Sequence, residues 1–332
     1  MYQLKKIFLI ILSIGFFLLL DVLISPRMNP YYLQMILYCG INIILAVSLN
    51  LINGFTGQFS IGHAGFMAIG GYTSAAFTFY LGPQLLETLF FPLWISKTII
   101  FTFALLLGGA LAAIAGVLVG IPSLRLKGDY LAIVTLGFGE IIRVFILNID
   151  AIGGARGFSD VPKYTSLFWV LLFTVLTVVV VRNLVHSTHG RAFLSVREDE
   201  VAAEAMGINT TWYKVTAFVI GAFFAGIAGG LLGHYLQYLH TNSFTFMKSF
   251  EVVMMVVLGG MGSISGSILA AIVLTLLPEV LRPVKDYRMV IYSLMLIILM
   301  LTRPQGIFGV EEFNWKWVKK YILRRKVQPE SI

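Results

Sequence analysis

The sequence predicts an all-α polytopic membrane protein, and three observations carry that prediction. Charged residues fill only 12% of the 332 positions while 58% are hydrophobic, with a mean hydropathy of +0.89; water-soluble domains carry about 25% charged residues. The apolar residues come in blocks of roughly twenty, the length of a membrane-crossing helix. No strand-length alternation of the barrel type occurs. The 32 glycines are many for soluble helices, but they suit membrane helices that pack on small residues or break near a transport site.

Taken in order, the chain opens with Lys5 and Lys6 ahead of an apolar run from Ile7 to Leu20. No small-x-small cleavage site precedes Asp21, so this run reads as an uncleaved first span, 7–24. Further spans are expected near 33–52, 59–80, 97–120, 130–148, 167–184, 214–239 and 288–302, giving about eight full crossings. Cys39 has no partner for an intrachain disulfide and reads as a small hydrophobe within the second span.

Orientation follows from counting crossings. With Lys5 and Lys6 in the cytoplasm, the loop of Arg125 and Lys127 falls inside. So does the longer loop with Arg182, Arg191, Arg197 and Lys214, as the positive-inside rule requires. The tail with Lys316, Lys319, Lys320, Arg324, Arg325 and Lys326 belongs there too, so both termini are expected in the cytoplasm. The net charge of +8 is thus an orientation signal; lipid, not nucleic acid, is the expected surrounding.

The block 250–277 breaks this count if it crosses once as a simple helix. Its centre, Gly259-Gly260-Met261-Gly262-Ser263-Ile264-Ser265-Gly266, is poor material for a helix interior. A break there leaves two helices of about 13 residues, near 20 Å each. Either a re-entrant pair or two short crossings restores the count. A counterpart lies in the first half, from Asn50 through Asn53, Gly54, Gly57, Gln58, Ser60, Gly62 and His63 to Gly65. Paired interruptions are what repeat-related halves of transporters show, and they make Asn53, Gln58, His63, Gly259, Gly260 and Gly262 candidates for the translocation path. Close helix packing on glycine is the alternative.

Glu140 and Arg143 stand three apart in the span 130–148, on one helical face near mid-membrane. They are path candidates as well, with a self-neutralising packing pair as the alternative. The remaining charges in apolar blocks sit near block ends, where they are expected to snorkel. His63 and His234 lack ligand-like spacing, and no metal site is expected. The glycine-rich loop from Ile152 to Pro162 falls on the external side and suits an outside partner or a plain loop.

Phosphate-loop, His-Glu-x-x-His, Cys-x-x-Cys and Gly-x-Ser-x-Gly signatures are all missing. The chain is therefore not expected to be an enzyme or to hold a cofactor. One soluble-looking stretch remains, from Arg191 to Lys214. Ser195 is expected to cap a short helix, with Glu198, Asp199 and Glu200 in its first turn. Ala202, Ala203 and Ala205 continue it and Gly207 stops it. Such a helix, small on one side and charged on the other, can seat in a groove of another protein; a solvated surface helix is the alternative.

Three stretches resemble one known family, the LivM-like permease subunits of bacterial ABC importers for branched-chain amino acids. They are Leu49–Phe66, Arg125–Arg143, and a third running from Gly190 through Gly207-Ile-Asn and Gly226–Gly230 to Gly266. The resemblance implies one permease domain over 1–332, with a cytoplasmic coupling loop 185–213 and a basic cytoplasmic tail 303–332, in the bacterial inner membrane. It also implies a heterodimer with a second related permease, two cytoplasmic ATPase subunits that bind ATP and Mg, and an external substrate-binding protein. Importers of this kind couple ATP hydrolysis to gating through a cytoplasmic helix with a Glu-Ala-Ala-x-x-x-Gly pattern. Ala202, Ala203 and Gly207 match that pattern, and Val201 replaces its Glu. Arg197, Glu198 and Asp199 join these as expected coupling residues. Permeases for urea or short amides share much of the pattern, and a motor-independent secondary transporter or channel is a further alternative.

Overall fold

The computed structural model describes residues 15–88, 92–123 and 128–282, together with 293, 294, 297, 302 and 306. Among these residues the chain is helical, with an isolated antiparallel bridge between Phe158 and Leu239. The helices are α1 (Gly15–Ile24), α2 (Pro30–Asn50), α3 (His63–Ala76), α4 (Gly82–Thr88), α5 (Leu93–Ser123), α6 (Asp129–Leu147), α7 (Leu167–Val185), α8 (Thr188–Glu198), α9 (Glu200–Ala205), α10 (Thr210–Leu236), α11 (Phe246–Gly259) and α12 (Ile264–Val280).

Five described helices are long and apolar enough to cross a membrane: α2 with its extension to Phe55, α5, α6, α7 and α10. Burial sorts them. The apolar windows of α2 and α10 are 72% buried, whereas those of α6 and α7 are 22% buried. The first two are therefore hydrophobic all round because protein surrounds them, and the last two because most of their surface is left to other apolar material. Asn29 caps α2 by accepting from the Tyr31 N–H at 3.0 Å, with Pro30 in the first turn.

The expected span 59–80 differs from the observed path. Residues 57–62 run without helix, and the helix starts at His63. A π-helical turn, Phe77–Leu81, then joins α3 to α4. The reason is a set of long-range hydrogen bonds, described below, that hold the 57–62 backbone in place of a helical ladder. The spans expected at 7–24 and 288–302 lie partly or largely outside the described residues, as does the tail 303–332 apart from Gly306.

Glycine sets the centre of the bundle. A Cβ on Gly70 would lie 2.2 Å from the Gly226 backbone, and one on Gly108 would lie 2.6 Å from the Gly70 carbonyl oxygen. Helices α3, α5 and α10 thus meet backbone to backbone, the small-residue packing of membrane helices. Gly226→Val is expected to lower stability by about 3 kcal/mol or more, because the facing atoms are the Ala112 Cβ and the Gly108 and Gly109 backbone, none of which can swing away. Thermal unfolding in detergent checks this.

Helices α11 and α12 form a hairpin. Gly259 and Gly266 touch across it, and both arms reach Asn42 of α2, through Lys248 on α11 and Thr275 on α12. The two arms therefore return to the same side. The observed break is shorter than the glycine cluster, since α12 already begins at Ile264. At the end of the bundle away from α8, the loop before α7 is tied down by Phe158 N–H to Leu239 O at 2.7 Å and by Tyr238 Oη to Arg156 O at 3.0 Å.

Candidate functional site

The two interrupted segments meet. Helix α2 widens into a π-helical turn over Leu51–Phe55 and ends where Thr56 donates to the Ile52 carbonyl at 2.6 Å. The Asn53 amide then acts as a local stand-in for backbone: it donates to Ser60 O and accepts from Ser60 N–H, both at 3.2 Å. Ile61 N–H donates to Thr135 of α6 at 3.0 Å, and Ala64 N–H donates to Ser249 of α11 at 2.9 Å. The open N-terminus of α3 is thus capped by another helix. Ser48 and His63 Nε2 share a hydrogen bond of 2.9 Å.

The second break closes on the first through Asn50. Its Oδ1 accepts from Gly262 N–H and its Nδ2 donates to Ser263 O, each at 2.9 Å. Gly260 and Gly262 turn the hairpin at φ +108° and +90°, a region open to glycine and strained for other residues. Ser263 caps α12 by accepting from Gly266 N–H at 3.1 Å. Gly54 packs directly on this clamp: a Cβ there would fall 1.9 Å from Asn50 Oδ1 and 2.3 Å from Gly262 N. Asn53, Gln58 and His63 are all buried here, and Gln58 Nε2, Ser60 Oγ and His63 Nδ1 have no hydrogen-bond partner among the described residues. Unpaired buried polar atoms each cost about 1–3 kcal/mol, so the junction is not a relaxed packing seam.

The expected coupling helix is two helices, divided at Asp199. Ser195 does not cap it. Its hydroxyl donates to Arg191 O within α8, while Asp199 Oδ1 accepts from Val201 and Ala202 N–H and starts α9. A carboxylate on a residue that is itself extended, as Asp199 is, caps better than a serine inside a continuous ladder. Gly207, at φ +82°, ends α9 as expected: its N–H bonds Glu204 O and the Ile208 N–H bonds Ala203 O.

Both carboxylates of α9 bond within the chain, although Glu204 stays exposed. Glu200 pairs with the buried Lys214 of α10, and Glu204 accepts from Thr210 at 2.6 Å. Val201 and Met206 are left 70% and 83% exposed, beside exposed Ala202 and Ala205, while Ala203 is buried. This end therefore presents an apolar face.

Arg197, in the last turn of α8, joins this surface to the junction. Its Nη1 donates to Gly54 O at 3.1 Å, and its stem lies over Gly57, whose φ is +68°. Its other guanidinium nitrogens hold Glu198. One side chain thus links α8 to the first break, and Asn50 links that break to the second.

Glu140 and Arg143 pair at 2.7 Å as their spacing predicts, but on a partly exposed face of α6 away from these contacts. Sequence reasoning passed over Asn42, Asn50, Lys248 and Glu251. Lys248 does not snorkel. Its Nζ donates to Asn42 Oδ1 and Glu251 Oε2, each at 3.0 Å, and Asn42 Nδ2 donates to Thr275 at 2.8 Å. The available signal was the i, i+3 spacing of Lys248 and Glu251, the same spacing that singled out Glu140 and Arg143. Among the described residues no group of three or more metal-binding side chains occurs.

Comparison with known proteins places this geometry. A family described as branched-chain amino acid transport system / permease component matches residues 31–301. The high-affinity branched-chain amino acid transport system permease protein LivM of Salmonella typhimurium is 38% identical over 302 residues, covering 80% of this chain and 67% of the relative. The probable branched-chain amino acid transport permease protein LivM of Methanocaldococcus jannaschii is 25% identical over 333 residues, covering 87% and 96%. The permease protein LivH of Salmonella typhimurium is 30% identical over 165 residues, covering 48% and 53%. No solved structure matches.

Proposed function

The chain belongs to the family of branched-chain amino acid transport system permease components, and from that premise we propose that it is a translocating subunit of an ATP-driven importer of branched-chain amino acids in the bacterial inner membrane. Its partners in this reading are a second, related permease, two cytoplasmic ATPases that hold ATP and Mg, and an external binding protein. The observation that carries the reading is the contact of Arg197 with Gly54. A helix on the surface thereby touches an intramembrane break, and the break touches the hairpin through Asn50. A push on α8 and α9 has a hydrogen-bonded route into the bundle. The exposed Val201 and Met206 give an ATPase groove something apolar to grip.

Asn53, Gln58, His63, Gly259, Gly260 and Gly262 act in this proposal as the hinge at which the path opens. Glu140 and Arg143, on the sparsely covered α6, face the second permease across the path. The membrane topology is about eight spans plus the re-entrant hairpin, with repeat-related halves and both termini cytoplasmic. Two contacts support the last span. Arg282 stacks over Tyr31 at the start of α2, whereas Gly306 lies against Gly260 at the hairpin turn.

The test is reconstitution of this chain with its partner permease, ATPases and binding protein in proteoliposomes. ATP-dependent leucine uptake is expected, and deletion of residues 195–208 is expected to abolish both uptake and ATPase binding. ATPase binding that survives the deletion removes the coupling assignment. Uptake by this chain alone, without ATP, favours a secondary transporter instead.

A further inference from the structure

A cavity of about 340 Å³ lies between α2, α10, α11 and α12, with Lys248 and Glu251 in its wall. That is the lower end of the roughly 300–1,000 Å³ range of small-molecule sites. We propose that it binds the zwitterionic head of a free α-amino acid, the ammonium on Glu251 and the carboxylate on Lys248. This rests on the transport reading above for the choice of leucine as probe, and it adds a substrate site within the permease itself.

Four observations carry it. First, the two charges are bonded but not used up. Lys248 spends two of its three N–H donors on Asn42 and Glu251, and a carboxylate has about four acceptor positions. Second, both side chains line the cavity, at 22% and 33% exposure, beside Asn42, which accepts from Lys248 and is itself bonded to Thr275. Third, the lining also includes the apolar Ile41, Met67, Leu232 and Leu274, which suit an aliphatic side chain. Fourth, the cavity sits near the start of α11, below Ser243, at the end of the bundle away from α8.

Charge balance selects the ligand. An isolated anion on Lys248 or an isolated cation on Glu251 would leave the site with a net charge at depth. An uncharged amide offers neither group a better partner than the other already provides. A zwitterion pairs with both spare positions and adds no net charge.

The experiment uses the full transporter in lipid nanodiscs without binding protein, and measures binding of L-leucine, isocaproate and isoamylamine. L-leucine is expected to bind and the two singly charged analogues to bind far more weakly. Lys248→Met and Glu251→Gln are expected to weaken leucine binding and slow its uptake roughly ten- to hundredfold. Lys248→Arg keeps the charge and is expected to retain most of the binding. Copurification of the ATPases reports assembly; if Lys248→Met fails to assemble, the smaller change Glu251→Gln is decisive.

Wild-type binding and uptake in both neutral variants overturns the site and leaves the transport reading intact. Lys248-dependent binding of leucine without any leucine uptake by the wild type supports the site and overturns the transport reading. Equal binding of isoamylamine or isocaproate overturns the zwitterion assignment.

Discussion

Replacing Asn50 by alanine is expected to destabilise the protein by about 2–4 kcal/mol and to abolish uptake. The side chain accepts from Gly262 N–H and donates to Ser263 O across the two breaks, the latter also accepting from Ser267 N–H and Oγ. Its loss leaves the buried Gly262 N–H unpaired, at about 1–3 kcal/mol, and removes a further hydrogen bond worth about 1 kcal/mol. Asn50→Asp keeps the acceptor for Gly262 N–H and loses only the donor to Ser263 O, so it is expected to be milder than Asn50→Ala. Gly54→Ala tests the same clamp from the other side, because its new methyl would occupy the place of Asn50 Oδ1. Thermal unfolding of the purified protein together with leucine uptake reads all three. A wild-type melting temperature and uptake in Asn50→Ala would sink the idea that the clamp joins the breaks.

Arg197→Ala is expected to cut leucine uptake about tenfold or more while ATP hydrolysis by the assembled complex continues. The reason is geometric. Arg197 is a direct bond from α8 to Gly54, whereas the apolar face proposed to hold the ATPase is made by Val201, Ala202, Ala205 and Met206 on α9. Docking and transmission therefore use different residues and separate by mutation. Arg197→Lys retains a charge but not the planar fork that holds Gly54 O and Glu198 together, and partial recovery is expected. Uptake and ATPase activity measured on the same proteoliposomes decide it: unchanged uptake, or equal loss of both, contradicts a transmitting role.

Much of the fold was legible because membrane helices announce themselves locally. The boundaries of α6 and α7 fall within a residue of the expected 130–148 and 167–184, since an apolar run with polar ends defines such a helix by composition alone. The hairpin was legible for the same kind of reason: four glycines and two serines in eight residues do not continue a helix. The start of α3 was misplaced because Ser60 and Ile61 look apolar enough to continue a span, yet Asn53 and Thr135 hold their N–H groups. The cap at Ser195 was misplaced because two good capping residues, Ser195 and Asp199, stand four apart. Only packing against α10, through Glu200 and Lys214, selects the second.

By itself, then, the sequence determined the membrane class, the positions of most helices and the places where helices break. Hydropathy, glycine content and charge act within a few residues of themselves, so they can be read in one dimension. Tertiary structure alone decided what the polar residues inside those helices do. Asn50 reads like any asparagine in an apolar run until its partners, 212 and 213 residues away, come within 2.9 Å. Lys248 reads as a charge at a block end until Asn42 draws it inward. A buried polar group must find a partner, but nothing near it in the chain says which one.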